Sequence, residues 1–161
     1  MPNNPPTLML CCDPGLVSGV GILRWTEKDG IEKVDSFEGS LPEVGEVVSM
    51  FLHTYGPTET ELVSERFVIT PRTGELSSPD WSLKVNGMLE WLAWKHWQVI
   101  GDDAVIYQSA GDAKRLVPNE VLKRAGIWHR GGAGHARDAL RHGLYRYATA
   151  YKITDAWDAL T

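Results

Sequence analysis

One stretch restricts the fold more than any other: LMLCCDPGLVSGVGI, residues 8–22. A short apolar run, typical of a buried strand, ends at a single carboxylate, Asp13, just before a Pro-Gly turn. A second apolar run follows at once, and Gly19 and Gly21 within it indicate either a close backbone approach or a bulge. Asp13 could be an ordinary turn residue that bonds its own backbone. It could also hold a metal ion at the mouth of the strand.

The rest of the chain predicts a mixed-sheet α/β domain, with an antiparallel meander followed by alternating helices and strands. The predicted strands cover residues 7–13, 18–25, 31–37, 61–67 and 104–108. The predicted helices cover 43–55, 80–100, 118–125 and 135–151, and loop-like sequence occupies 69–80. We expect a disordered lead at 1–6, a single domain at 7–152 and a tail at 153–161.

Size and composition suit one globular domain, because 161 residues with 43% hydrophobic content can bury a core. The longest apolar runs are too short to span a bilayer, and the N-terminus lacks the basic region of a signal peptide, so we expect a cytoplasmic protein. Cys11 and Cys12 are adjacent in a strand and point to opposite faces, which predicts two reduced thiols in the core.

Charge is distributed unevenly along the chain, whose net charge is −5. Residues 113–150 carry eight Lys or Arg against two acids, a net charge of +6, which leaves −11 on the remainder. Such asymmetry often marks a face that binds a polyanion, although a solvated helical face would give the same pattern.

The predicted helix 80–100 carries four of the seven tryptophans, and its apolar residues wrap much of the cylinder. Such a helix is buried on more than one side. An unusually aromatic intramolecular core would explain the pattern. A homodimer interface explains it better, because aromatic residues concentrate at interfaces.

Three element ends carry the candidate chemistry. Asp13 and Glu65 end predicted strands, while His135 and Asp138 lie three residues apart, on one face, in the first turn of the last helix. If the two strands are parallel neighbours, both acids emerge at the same sheet edge. Crowded carboxylates repel each other unless a hard divalent cation neutralises them. Two such ions about 4 Å apart can activate water and stabilise the leaving oxygen in phosphodiester cleavage.

Each of these residues also has an ordinary explanation. Glu65 could pair with a nearby base, Arg66 or Arg72. Asp138 could simply favour a helix N-terminus, and His135 could be a cap or a surface residue. The combination is more specific than any of its members, since chance rarely puts all of them at predicted element ends.

The sequence resembles the RuvC-like Holliday junction resolvases of the RNase H-like superfamily. The resemblance rests on Asp13-Pro14-Gly15 with the Gly-rich second strand, on Ser64-Glu65, and on the run 134–139, GHARDA. The segment 109–114, SAGDAK, followed by LKRAG at 122–126, looks like bacteriophage-encoded members.

The resemblance implies a five-stranded mixed sheet with flanking helices, a homodimer acting on a four-way junction, and two Mg²⁺ or Mn²⁺ ions per site. Asp13 would bridge the metals, Glu65 would ligate one and Asp138 the other. Lys114 falls where the family carries a basic residue near the scissile phosphate. Many bacterial members have a carboxylate at the position of His135, so this residue is either a ligand or a water-positioning group.

A second departure concerns the aromatic residue that stacks on bases, which well-studied bacterial members place three residues after the second carboxylate. That position is Val68 here, and the aromatic is Phe67. It could stack on bases at the junction centre or belong to the core.

The sequence therefore predicts a metal-dependent endonuclease for four-way and other branched DNA, with a homodimer formed through the helix 80–100. A flap or fork nuclease, a ribonuclease H, and a non-catalytic branched-DNA-binding module are the alternatives. The predicted DNA-binding residues are Arg66, Phe67, Arg72, Lys114, Arg115, Lys123, Arg124, Arg130 and Arg137.

Overall fold

Five strands form one mixed sheet in the order β3-β2-β1-β4-β5. The computed structural model describes residues 5–68, 79–153, 156 and 158. The strands are β1 Leu8–Asp13, β2 Ser18–Thr26, β3 Gly30–Gly39, β4 Thr60–Glu65 and β5 Ile106–Gln108. The helices are α1 Leu41–Thr54, α2 Pro79–Trp97, α3 Ala110–Leu116, α4 Asn119–Arg124 and α5 His135–Tyr151, with a 3₁₀ turn at Gly101–Asp103.

Strand directions follow from the connections. The short turns between β1, β2 and β3 make an antiparallel meander, whereas β1–β4 and β4–β5 pair in parallel through helical crossovers. The carboxyl ends of β1, β4 and β5 therefore lie at the same sheet edge. This mixed arrangement is the one that the sequence pattern predicted.

The central strands β1 and β4 are buried on both faces. One core lies between the sheet and α5 and includes Cys11, Leu140 and Tyr147. The other lies under α1 and α2 and includes Cys12 and Val48. The two adjacent cysteines thus belong to opposite cores, as strand alternation predicted, and both are free thiols.

Several element bounds differ from the prediction. Strand β4 ends at Glu65, so Phe67 follows the strand instead of lying in it. The run Ala110–Leu116 forms a helix that the apolar pattern did not predict. The expected loop at 69–80 falls mostly outside the described residues, and its last two positions begin α2. Beyond α5, Ile153 and Ala156 are buried against the α5 core.

The tryptophan-rich helix α2 packs on α1 and on the sheet. Val85, Leu89 and Leu92 are buried, while Trp91 and Trp94 are 54% and 52% exposed. Among the described residues, the helix therefore leaves an aromatic surface exposed. Across the described ranges, no helix is both long and apolar enough to cross a membrane.

Candidate active site

Two carboxylates meet where the parallel strands β1 and β4 end. Asp13 is the last residue of β1 and Glu65 the last of β4, one step beyond the paired Cys12 and Ser64. Asp13 is buried and Glu65 is half-buried. The two carboxyl groups lie close enough for each to affect the pKa of the other. The parallel pairing therefore brings both acids to one edge, as expected.

The first turn of α5 lies directly over β2 and brings His135 to the two acids. Gly19 pairs with Asp13 in the antiparallel register, and a Cβ atom at Gly19 would lie 2.0 Å from the backbone of His135. Glycine thus lets the helix backbone rest on the sheet, which is one of the two roles predicted for it. His135 Nδ1 donates a hydrogen bond to Asp13 Oδ2 at 2.8 Å. The neutral ring then carries its lone pair on Nε2.

Glu65 is held by residues that the sequence analysis did not single out. His142 of α5 is buried; its Nε2 donates to Glu65 Oε2 at 3.4 Å, and its Nδ1 lies 3.0 Å from Gln108 Oε1. Gln108 ends β5 at the same sheet edge. The available signal was spacing: His142 follows His135 by seven residues, two helical turns, and so shares its face.

Helix α2 supports the same edge from the opposite face. Asn86 accepts a hydrogen bond from Ser64 Oγ at 2.8 Å and donates to the carbonyl oxygen of Glu65 at 3.3 Å. Ser82 Oγ donates to the carbonyl oxygen of Pro14 at 2.8 Å. The backbone that follows each strand is therefore fixed by a polar side chain of one helix, which limits the movement of both acids.

Asp138 lies in the first turn of α5, as predicted, but is bonded to two cations. Lys114 Nζ is 2.9 Å from Oδ2, and Arg141 Nη1 is bonded to Oδ1. Arg141 is buried and also donates to the Val117 carbonyl at 2.6 Å and to Asn119 Oδ1 at 2.7 Å. Arg141 thus ties α5 to the connection between α3 and α4, which places Lys114 beside the acids.

The surroundings push the pKa values of the two adjacent acids apart. Burial, reinforced by the nearby Glu65 charge, raises the pKa of Asp13, although the hydrogen bond to His135 opposes this. Burial also acts to raise the pKa of Glu65, but the His142 hydrogen bond and the charges of His142 and Lys114 bring it below its ordinary value. The hydrogen bond to Asp13 raises the pKa of His135. Glu65 therefore ionises first, and Asp13 resists ionisation without a further cation.

The donor chemistry of this cluster fits a hard divalent cation, because it offers three carboxylates and one imidazole. The predicted four-ligand set of Asp13, Glu65, His135 and Asp138 is nevertheless not assembled. Among the residues described, no three His, Cys, Asp or Glu side chains form a group that could hold a metal ion. Asp138 is instead bonded to Lys114 and Arg141.

Two of the predicted DNA-binding residues after α3 contact Trp128, which the sequence analysis missed. Lys123 Nζ lies 5.2 Å and the Arg137 guanidinium 4.9 Å from the ring centroid of Trp128. Arg124 and Arg130 are exposed. Arg115 and Lys123 also pair with acids three residues earlier on their own helices, at 3.0 and 2.9 Å.

The remaining DNA-binding candidates follow β4. Arg66 is exposed, and its backbone N–H donates to the Gln108 carbonyl at 2.7 Å. Phe67 is half-buried and lines, with Arg66 and Tyr107, a cavity of about 300 Å³ against α2. Arg72 lies outside the described residues.

Comparison with solved structures gives this architecture a counterpart. The structure titled "T. thermophilus RuvC in complex with Holliday junction substrate" is similar with a TM-score of 0.62, covering 91% of this chain and 98% of that chain. The fold is RuvC-like. The sequence identity is 14%, so the similarity establishes the fold alone. No protein-family model matches the sequence, and no curated protein matches it at a significant level.

Proposed function

We propose that this chain is a metal-dependent endonuclease that cleaves four-way DNA junctions and other branched DNA by phosphodiester hydrolysis. The observation that carries the proposal is the meeting of Asp13, Glu65 and His135 at one sheet edge, with Asp138 and Lys114 adjoining. It is supported by the fold shared with a RuvC that was solved with a Holliday junction.

Asp13, Glu65 and Asp138 would hold Mg²⁺ or Mn²⁺, two ions per site, which supply an activated water and stabilise the leaving oxygen. His135 orients Asp13 through Nδ1 and either adds a ligand through Nε2 or positions the attacking water. Lys114 now pairs with Asp138 at 2.9 Å. We propose that Lys114 leaves Asp138 and pairs with the scissile phosphate when DNA binds. Oδ2 of Asp138 would then be available to a metal ion, while Oδ1 would remain bonded to Arg141.

The flanking cations would bind the DNA backbone. Lys123 and Arg137, which lie on the Trp128 ring, and the exposed Arg130 are the candidates near the start of the helix that carries His135. Phosphate contacts release counterions, so affinity for DNA should fall steeply as salt rises. A flat salt response would contradict binding through these residues. We propose that Phe67, with Arg66, stacks on unpaired bases at the junction.

Four-way junctions present two symmetric cleavage points, and a homodimer would match them. We propose the uncovered aromatic side of α2, with Trp91 and Trp94, as the dimer contact. From the sequence resemblance we also propose that a bacteriophage encodes this protein, in which case it would act in the host cytoplasm.

The test is cleavage of a synthetic immobile four-way junction, compared with a linear duplex and a replication fork, in Mg²⁺, Mn²⁺ or EDTA. Paired symmetric nicks in the junction that require metal are expected. Equal cleavage of forks and flaps would instead favour a broader branched-DNA nuclease. Cleavage of RNA–DNA hybrids would favour a ribonuclease H.

Two variants separate an enzyme from a DNA-binding module. Asp13→Asn and Asp138→Asn should bind the junction yet fail to cut it, with the fold retained by circular dichroism. Retained cleavage in Asp138→Asn would remove this residue from the site. Tight junction binding without cleavage by the unmodified protein in either metal would favour the non-catalytic module.

A further inference from the structure

The start of α5 is held by a residue outside the helix. Gly134 precedes the helix and has no side chain with which to cap it, so the first backbone N–H groups need other acceptors. Glu38 of β3 supplies them across the sheet. Its Oε1 accepts from Gly134 N at 2.8 Å and from Ala136 N at 3.2 Å, and its Oε2 accepts from Ala133 N at 2.8 Å.

The sheet register explains why Glu38 can reach this helix. Gly19 of β2 pairs with Asp13 of β1 on one side and with Glu38 of β3 on the other, so the three residues form one row across three strands. Directly paired residues point to the same face of a sheet. The backbone of His135 rests over the glycine in the middle of the row. On one side of Gly19, Asp13 accepts a hydrogen bond from the His135 imidazole. On the other side, Glu38 accepts hydrogen bonds from backbone N–H groups at the start of α5.

The segment that Glu38 holds has little rigidity of its own. Gly131, Gly132 and Gly134 adopt positive φ angles of 91°, 64° and 113°, which are available mainly to glycine. A Cβ atom at Gly132 would lie 2.3 Å from Glu38 Oε2, so the loop wraps closely around the carboxylate. Glycine-rich backbone loses much entropy when it is ordered. The three hydrogen bonds to Glu38 are the described contacts that offset this cost where α5 begins.

We propose that Glu38 is a positioning residue of the active site, which fixes the first turn of α5 so that His135 stays against Asp13. The expected effect of Glu38 on the cleavage rate rests on the proposed nuclease function. Its expected effect on the position of His135 does not. Glu38 does not contact Asp13 or Glu65 through any described hydrogen bond and acts through the backbone of residues 133–136.

The experiment compares Glu38→Gln and Glu38→Ala with a matched control, Glu32→Gln, in the full-length protein. Glu32 lies on the same strand and loses the same charge, but it pairs with Arg24. Glutamine keeps one acceptor oxygen and presents an amide donor at the other position, whereas alanine keeps neither. The expected order of effect is therefore alanine, then glutamine, then the control.

Two measurements are needed. Heteronuclear NMR of the protein without DNA or metal should show shifted amide signals for Ala133, Gly134 and Ala136, and a shifted His135 ring signal, in both Glu38 variants only. Junction cleavage should fall about 10-fold in kcat for Glu38→Gln and on the order of 10²-fold for Glu38→Ala, because small misplacements of reacting groups are costly. KM should change by less than about 2-fold, since phosphate contacts elsewhere set binding.

Each result decides the proposal. Unshifted His135 signals in Glu38→Ala would overturn it, and so would a loss of kcat without such a shift. Shifted signals with unchanged kcat would show that the position of His135 does not matter and would also overturn it. If the unmodified protein cuts no DNA, the proposed function fails, and the NMR shifts alone decide whether Glu38 positions His135.

Discussion

Strand β4 carries two glutamates, Glu61 and Glu65, that face the same helix in different ways. They are four residues apart, and so are the α5 residues that contact them, Arg146 and His142. Arg146 donates to Glu61 from Nε at 3.0 Å and from Nη2 at 2.9 Å, and Tyr151 adds a hydroxyl bond. Among the described residues, Glu65 accepts a 3.4 Å hydrogen bond from His142 and lies near the carboxyl group of Asp13.

The difference separates a structural ion pair at Glu61 from two crowded acids, Glu65 and Asp13. A bidentate guanidinium neutralises Glu61 fully, and burial together with the bond to Glu61 raises the pKa of Tyr151 to about 12. Around Glu65, burial and acid crowding raise the pKa of Asp13 instead. Two crowded acids are what a cation-binding site would offer, whereas Glu61 is already paired with a guanidinium group.

The largest expected effect is that of Glu65→Gln on cleavage. The variant removes a charge that we assign to metal binding, and the loss of several kcal/mol of transition-state stabilisation would slow cleavage by on the order of 10³-fold. Stability should change by less than about 1 kcal/mol, because Gln can still bond His142. Junction cleavage and thermal unfolding measure the two effects. Cleavage within about 10-fold of the unmodified rate would contradict the assignment.

Gly19→Ala should lower both the stability of the fold and the rate of cleavage. The added Cβ would lie 2.0 Å from the His135 backbone, so the start of α5 must move. Overpacking of this kind costs about 1–3 kcal/mol, and displacement of His135 should lower cleavage by on the order of 10²-fold. Gly56→Ala is the control, because a Cβ there meets nothing within 4 Å. A Gly19→Ala protein with normal stability would mean that α5 does not rest on the sheet at this point.

The sequence predicted those parts of the site that local patterns specify. Asp13 and Glu65 terminate apolar runs, and β-strand periodicity suffices to place them at strand ends. His135 and Asp138 begin a helix whose N-terminus is marked by glycines. Parallel pairing of β1 and β4 then follows from the crossover between them.

The residues that support the site could not be predicted in the same way, because their partners are distant in the chain. Glu38 meets residues 133–136 only through strand register, almost 100 positions away. Arg141 looked like part of a basic surface, yet it is buried and bonded to Asp138. Ion pairs such as Lys114–Asp138 depend on helix placement, which sequence spacing does not specify.

Glu61→Gln makes the same chemical change as Glu65→Gln, at the end of β4 where the acid is paired with Arg146. It should lower stability and leave cleavage almost unchanged, the reverse of the result expected for Glu65→Gln. Arg146 would lose the charge that it pairs with in a largely buried position, at a cost of about 1–3 kcal/mol. Cleavage should stay within about 2-fold of normal, because the cluster lies one helical turn from His142. Chemical denaturation and junction cleavage test both parts. If Glu61→Gln abolished cleavage in a folded protein, the division of β4 into two ends would be wrong.

The smallest expected effect concerns pH and the acid that holds α5. Burial slightly opposes ionisation of Glu38, but hydrogen bonds from Ala133, Gly134 and Ala136 bring its pKa below the ordinary value of 4.5. A carboxylate with a lowered pKa in the folded state stabilises the fold above its unfolded pKa, and that stabilisation is lost as pH falls through the folded pKa. The unmodified protein should therefore unfold at a higher temperature than Glu38→Gln near about pH 6, with the gap closing towards about pH 3. Glu32→Gln serves again as the control. If the difference in unfolding temperature stayed constant over this pH range, the charge of Glu38 would not stabilise the start of α5, and only the shape of its side chain would matter.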